Sequence, residues 1–312
     1  MEAALMEKII FDTDPGIDDA MALLLIHSLN ALDVVGITTV FGNASIDTCT
    51  RNALYMCERF DLSYPVYRGA GRTIEGEDET VFPDFVHGKN GLGDIEIGPV
   101  HLQEQESDAA SFIIEASKQT SDLSVLAVGR MTNVAAALTQ DPDLARRLRR
   151  VVIMGGAVSV PGNVSEWAEA NIFGDPEAAD IVFQSGVKVD LVPLDATLIN
   201  LVTKDELKRL TEQLGDAGQF LWQIKQHYLE FYSTKGQGDV FPMHDSSAAV
   251  AMVNAELFSW QSGELSCVLD DEQRGRTVLN EAAAGPHRVA LSADREKSWR
   301  FVSDALLSAF LS

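Results

Sequence analysis

The sequence predicts an α/β protein, a mostly parallel central sheet flanked by helices and built as a single domain over residues 1–312. Three observations carry that prediction. Short β-branched apolar runs alternate with helix-length segments, the order in which crossover helices join parallel strands and cover both faces of a sheet. Two long stretches rich in Gly and polar residues follow strand-like runs, where the loops of an open parallel sheet collect. Finally, 46% hydrophobic and 23% charged residues, with no repeat, low-complexity tract or linker-like shift in composition, fit one ordinary globular core. A chain of this length buries roughly three quarters of its unfolded surface and needs no staples.

The elements follow in order. Residues 8–12, Lys-Ile-Ile-Phe-Asp, are an apolar run ending in a carboxylate, and 20–29 is apolar and long enough, with the turn before it, for a buried helix. A β-branched strand at 33–40, a helix at 48–60 and a short strand at 65–67 come next. The stretch 69–100, with Gly88-Lys-Asn-Gly-Leu-Gly93 inside it, reads as a long functional or mobile loop. Beyond it, 123–128, 151–154 and 187–192 are strand-like, while 132–138, 176–183 and 205–214 are helix-like. The second loop, 155–175, is studded with Gly, Pro, Asn and Glu, and 246–253 is a further helical run. The basic cluster Arg146, Arg147, Arg149 and Arg150 is expected at the solvated end of a helix.

Charge narrows the partners. The 24 Lys and Arg against 47 Asp and Glu leave −23 with the histidines neutral, a field that repels nucleic-acid phosphates and anionic lipid. No nucleic-acid or membrane partner is expected, and the longest apolar run, 20–26, is far short of a membrane span. Cys49, Cys57 and Cys267 are an odd set without zinc-like spacing, against both a disulfide framework and a structural zinc. With an acidic N-terminal segment too short for a signal peptide, the expected setting is a reducing cytoplasm. Neither a P-loop nor a GxGxxG after a strand is present, so a nucleotide cofactor is not indicated.

The strongest local signal is Asp12-Thr-Asp14-Pro-Gly-Ile-Asp18-Asp19, four carboxylates in eight residues at the exit of a buried strand. Like charges so close raise one another's pKa and cost stability unless a cation sits among them. A hard divalent ion answers this, since calcium collects oxygens and the Pro15-Gly16 turn lets a strand end and a helix start face one ion. A first helical turn accounts for Asp18 and Asp19, where the helix dipole favours acids, but leaves Asp12 and Asp14 unexplained. His244-Asp245 precedes the 246–253 run. The default reading of Asp245 is a helix N-cap; beside the acid cluster it becomes a candidate ligand with a titratable neighbour. Asn163, Glu169 and Asn171 in the second loop, and Asn43 after the second strand, offer amides and a carboxylate suited to sugar hydroxyls, though each alone also fits a turn. Tyr228 and Tyr232, four apart, share a helix face and suit core packing or a ring-stacking wall.

The Asp12–Asp19 string, after Lys8-Ile-Ile-Phe, closely resembles the aspartate fingerprint of the inosine-uridine-preferring nucleoside hydrolase family. Phe41-Gly-Asn43, His87-Gly-Lys-Asn-Gly-Leu-Gly93, Val128-Gly-Arg-Met-Thr-Asn133, Met154-Gly-Gly156, Gly162-Asn163, Ala168-Glu-Ala-Asn171, Asp175-Pro-Glu-Ala-Ala179 and His244-Asp245 occur in the family's order and approximate spacing. The resemblance runs from Lys8 to the final helix. It implies calcium-dependent hydrolysis of the N-glycosidic bond of ribonucleosides, releasing ribose and a free nucleobase by attack of a metal-bound water with Asp14 as general base. Asp14, Asp19 and Asp245 would hold Ca²⁺ through carboxylates and Val128 through its carbonyl. Asp18 and Asn171 would grip the ribose hydroxyls, Asn163 and Glu169 would reach the 5′-hydroxyl side, and Asn43 and Met154 would line the pocket. His244 resembles the histidine that protonates a leaving purine, His87 lies in the mobile loop over the base, Tyr228 and Tyr232 resemble aromatic residues near the base, and Asp12 looks like an orienter behind the ligands. Members are usually homodimers or homotetramers. The family commonly has Pro and Leu where this chain has Arg130 and Met131, and Phe where it has Ala170.

Physical chemistry accommodates these assignments. Breaking the glycosidic bond leaves an oxocarbenium-like ribosyl, which nearby carboxylates stabilise, and the departing base needs a proton. Two other readings compete. A haloacid dehalogenase-type phosphatase would use Asp12 as nucleophile, with magnesium, but needs a downstream lysine and a later acidic pair than Asp18-Asp19. A catalytically inactive nucleoside-binding protein would keep the fold without turnover, although all four acids and His244 are present.

Overall fold

The computed structural model describes residues 6–270, 272–281 and 285–311. Its first half is β1 (Glu7–Thr13), α1 (Ile17–Ser28), β2 (Leu32–Thr39), α2 (Ile46–Arg59), β3 (Val66–Arg68), α3 (Asp84–His87), α4 (Ala109–Gln119), β4 (Ser124–Ala127), α5 (Thr132–Gln140) and α6 (Leu144–Arg147). Then come β5 (Arg150–Met154), α7 (Ala170–Gly174), α8 (Pro176–Gln184), β6 (Val189–Val192), α9 (Leu194–Thr197), β7 (Leu201–Thr203), α10 (Lys204–Thr211) and α11 (Gly215–Thr234). The chain ends with β8 (Val240–Pro242), α12 (His244–Val253), β9 (Phe258–Cys267), β10 (Thr277–Glu281), β11 (His287–Ala293) and α13 (Arg295–Phe310).

Nine strands form one sheet in the order β10-β9-β11-β6-β5-β4-β1-β2-β3, and β7 and β8 form a separate antiparallel pair. From β3 to β11 every neighbouring pair is parallel. Side chains sort by strand alternation into two apolar layers: Ile9, Phe11, Leu126 and Val152 face α1, while Ile10, Val125, Ala127 and Val151 face α4 and α5. Helix α1 is buried on all sides from Ile17 to Ile26, which explains its unbroken apolar sequence. Strands laid down to one side after β1 and to the other after β4 leave a crevice between the carboxyl ends of β1 and β4. There Asp12 pairs with Ala127, and the Val128 N–H donates to the Asp12 carbonyl at 2.8 Å, so Asp14 and Val128 leave the sheet side by side.

The predicted parallel sheet is present, and three local expectations change. Strands β9 and β10 extend the sheet antiparallel beyond β11; β9 carries Ser259, Gln261, Ser262, Glu264 and Ser266, so no apolar run advertises it. Helix α1 begins at Ile17, earlier than its apolar stretch, because its first turn is made of the acids. The basic cluster is split: Arg146 is solvated, whereas Arg150 opens β5 and bridges Asp190 on the adjacent β6 at 2.9 Å and Glu7 on β1, one strand further on beyond β4, at 2.7 Å. Asp190 also binds Arg288 at 2.5 Å. Among the described residues no helix is long and apolar enough to cross a membrane.

The Asp190 carboxyl sits below its ordinary 3.8: burial works to raise it, but Arg288 and Arg150 outweigh burial. A carboxylate held low in the folded state contributes stability that is complete above pH 3.8 and is lost as pH falls through the lowered folded value. Asp190→Asn is therefore expected to cost about 2 kcal/mol at neutral pH and to lose less further stability on acidification than the wild type. Urea melts at neutral and acid pH read both effects, and equal acid slopes would place the dependence elsewhere.

Candidate active site

The crevice is built around Asp14. After β1 the chain turns through Asp14-Pro15-Gly16 into α1, and the Asp14 carboxylate lies between two glycines. A Cβ on Gly42 would stand 2.1 Å from its Oδ2, and one on Gly129 2.8 Å from its Oδ1. The Asn43 N–H donates to Oδ2 at 2.8 Å, and the Asn43 amide donates to the Asp14 carbonyl and to Asp19 Oδ2, at 3.1 and 2.9 Å. Asp19 also accepts from Thr13 Oγ1 at 2.6 Å and from the Gly16 N–H at 2.9 Å, which caps α1. Asp12 accepts from Thr38 at 2.5 Å and Asn133 at 2.8 Å, yet its Oδ2 is buried without a partner. Asp18 accepts from Lys225 Nζ and from the Asp245 N–H, both at 3.0 Å.

These carboxyls disturb one another. Burial raises Asp14 well above the carboxylate range, and the charge of Asp19 adds to it against the Asn43 N–H and the Arg130 guanidinium. Asp245 is raised well above its ordinary value by burial and then by Asp19, Asp18 and Asp14. Asp12 is pushed up to about 6 by burial, with Asn133 and Thr38 pulling the other way. Burial raises Asp19 as well, against its hydrogen bonds from Thr13 and Gly16. Asp18 moves down: burial would raise it, but Lys225, His244 and the Asp245 N–H prevail.

An open cleft of about 510 Å³ reaches this group at Asp14 and is lined by Asp14, Asn43, Arg130, Ala170 and Asn171 among others. Arg130, a departure from the family's usual Pro, stacks on Phe41 at 4.2 Å, pairs with Glu79 at 3.0 Å and donates to the Gly174 carbonyl at 3.2 Å. The Asn171 amide donates to the carbonyls of Val128 and Met154, at 2.7 and 3.1 Å, and Met154 is buried beneath it. The Glu169 carboxylate accepts from the N–H groups of Gly156, Asn171 and Ile172, and so acts as the N-cap of α7; exposed Asn163 accepts from the Ala170 N–H at 3.0 Å. His87 closes α3 inside the first long loop and is docked rather than free. Its Nδ1 accepts from the Ile17 N–H at 3.2 Å, its ring lies 5.9 Å from Tyr228, and burial brings its pKa down to about 3.

Tyr228 and Tyr232 are both buried on α11 with ring centroids 4.9 Å apart, edge to face. The Tyr232 hydroxyl meets His244 Nε2 at 3.1 Å, and His244 Nδ1 meets Thr197 Oγ1 at 2.8 Å. Burial lowers His244 to about 4 against the pull of Asp18, so the imidazole is neutral near pH 7. Asp245 is not the N-cap expected from its position. Helix α12 starts two residues earlier than the 246–253 run, at His244 with Met243 as its N-cap, and Asp245 lies inside its first turn. Lys225 and Thr197 were not singled out by the sequence. The available signal was a lysine within the apolar stripe Phe220, Leu221, Ile224, Tyr228 of α11.

The donor chemistry fits a hard cation: buried carboxylates of Asp14, Asp19 and Asp245 beside the Val128 carbonyl, with the orphaned Asp12 Oδ2 behind them. As the side chains stand, no group of three or more His, Cys, Asp or Glu among the described residues is arranged as a coordination shell. Asp19 is instead turned to Thr13, Gly16 and Asn43, and the Val128 carbonyl to Asn171. The phosphatase alternative fails on accessibility, because Asp12 is 0% exposed and held by Thr38 and Asn133.

Comparison with known proteins agrees with this architecture. The chain is 37% identical over 278 residues to probable uridine nucleosidase 1 of Oryza sativa subsp. japonica, spanning 88% of this chain and 85% of that one. The solved plant nucleoside hydrolase PpNRh1 superposes with a TM-score of 0.93 at 32% identity, covering 97% of this chain and 99% of its own. A purine-preferring ribonucleoside hydrolase from Gardnerella vaginalis superposes with a TM-score of 0.92 at 31% identity, covering 97% and 98%. The model for inosine-uridine preferring nucleoside hydrolases matches residues 9–300. With that model matched over nearly the whole chain and relatives of this identity spanning most of it, this chain belongs to the inosine-uridine preferring nucleoside hydrolases, enzymes that hydrolyse the N-glycosidic bond of ribonucleosides.

Proposed function

We propose that the chain hydrolyses ribonucleosides with the help of a divalent cation, calcium, and with Asp14 as general base. The observation that carries this reading is the Asp14 carboxylate lining the cleft, fitted between Gly42 and Gly129, with burial and Asp19 raising its energy. Asp14, Asp19, Asp245 and the Val128 carbonyl would hold the ion. Bound there, it would offset the crowded negative charge and acidify a water.

The protein's own groups then divide the work. The Asn43 N–H occupies Asp14 Oδ2, which leaves Oδ1 to take a proton from the water attacking C1′. As the water oxygen bonds to C1′, the glycosidic bond breaks and its electron pair leaves with the base. The carboxylates around the ribose stabilise the positive charge on the sugar. Asp18 and Asn171 accept and orient the ribose hydroxyls, and Glu169 fixes Asn171 by capping α7. At the base end His244, once protonated from solvent, would hand that proton to the leaving group and return to the neutral imidazole, while Asp14 releases the proton taken from the water, so that one turnover balances. The Tyr232 and Thr197 hydroxyls hold the ring, and Tyr228 and His87 wall the space.

A panel of uridine, cytidine, inosine and guanosine assayed for released ribose tests the activity. Turnover of at least one is expected, lost on chelation and restored by calcium. Cleavage of para-nitrophenyl phosphate with no ribose released would overturn it. Asp14→Asn is expected to slow turnover about a thousandfold and to raise the melting temperature of chelator-treated protein, since it removes a buried like-charge clash; retention of the wild-type rate would remove Asp14 as base. His244→Ala should depress hydrolysis of ordinary ribonucleosides far more than that of para-nitrophenyl riboside, whose leaving group needs no proton. Equal losses on both would exclude His244 as the proton donor.

A further inference from the structure

The rarest feature of the molecule lies outside the groups assigned so far. Lys225 projects from the apolar face of α11 and is 0% exposed, among the largest fully buried side chains of the protein. Its ammonium pairs with Asp18 Oδ1 at 3.0 Å, its charge also reaches the Asp245 carboxyl, and it lies over the rings of Tyr228 and Phe241, each 4.6 Å away to the centroid. Stability alone is a poor reason for such a pair, because desolvating two charges returns little net gain over apolar side chains of the same size. Its geometry is more informative. Asp18 Oδ1 is fixed by Lys225 from α11 and Oδ2 by the Asp245 N–H from the first turn of α12, so the carboxylate is pinned between three helices. A carboxylate has a second lone pair on each oxygen. Two fixed donors therefore leave one acceptor site per oxygen, side by side, which is what a pair of vicinal hydroxyls requires.

We propose that Lys225 is a positioning residue for ribose selectivity: it holds the Asp18 carboxylate in the one orientation that accepts both hydroxyls of the sugar's cis-diol. The inference rests on the reading of Asp18 as a ribose-binding group. Lys225 does not touch the sugar. Its ammonium is 0% exposed, sits over the faces of Tyr228 and Phe241 and pairs with Asp18, so its effect reaches substrate only through that carboxylate.

The test compares uridine and inosine with their 2′-deoxy counterparts for the wild type, Asp18→Asn, Lys225→Met and Lys225→Arg, with calcium present throughout. Lys225→Met is expected to lower kcat/KM on the ribonucleosides about thirtyfold, the equivalent of one charge-assisted hydrogen bond, with a raised KM and little change on the deoxy substrates. Lys225→Arg, which keeps the cation, should recover most of the ribose preference. A merely structural lysine would depress ribo and deoxy substrates equally, and that result would overturn the proposal. Should Lys225→Met not fold, Lys225→Gln carries the same expectation. If Asp18→Asn keeps the wild-type ribose preference, the reading of Asp18 fails. If Asp18→Asn abolishes the preference and the uncharged Lys225 variants keep it, the lysine inference alone fails.

Discussion

The structure depends on a crowd of buried carboxylates. Asp12, Asp14, Asp18, Asp19 and Asp245 meet where β1 ends, and for four of them burial, in several cases with a neighbour's charge, leaves the ionised form disfavoured. Much of the surrounding sequence follows from having to tolerate this. Gly42 and Gly129 lack side chains because Asp14 occupies the space, Asn43 spends its amide and its N–H on Asp14 and Asp19, and Lys225 is sunk into an apolar helix face to reach Asp18. A protein shaped only for stability would not concentrate like charge in its interior. Such concentration makes sense as chemistry held ready for a cation and for a sugar that becomes positive as its bond breaks.

Topology decides where the crowd can form. Reversal of strand order between β1 and β4 opens a crevice that no crossover helix fills, and the two strand ends deliver Asp14 and Val128 to it. Asp18 and Asp19 arrive on the first turn of α1, which is apolar enough beyond that turn to be buried whole. Asp245 and His244 come from the first turn of α12, far along the chain, and α11 brings Lys225, Tyr228 and Tyr232 across the back. Helices thus hold Asp18, Asp19, Asn171, Tyr228, Tyr232, His244 and Asp245, whereas Asp14, Asn43, Val128 and Glu169 sit in the turns just beyond strand ends or before a helix.

How far the sequence discloses this depends on the kind of signal. Apolar runs at β1, β4, β5 and β6 are visible because both sheet faces are covered, whereas β9, next to the edge strand β10, is hidden by its polar, partly exposed residues. The Asp12–Asp19 cluster is legible because four acids after an apolar strand violate burial rules locally. Asp245 is not, because an acid at a helix start is ordinary, and only the fold brings it beside Asp18. Arg150 reads as a solvated arginine until the sheet brings Asp190 on β6 and Glu7 on β1 to either side of it. Glu169 and Asn163, expected on the sugar side, also hold backbone N–H groups around α7, a use that spacing cannot reveal.

Calorimetric titration of calcium into chelator-stripped protein bears most directly on the idea that the buried acids are a cage awaiting a cation. A single ion per chain is predicted for the wild type, with the heat abolished by Asp245→Asn. A folded wild type that takes up no calcium, or an Asp245→Asn variant that binds it as well as the wild type, would contradict the account.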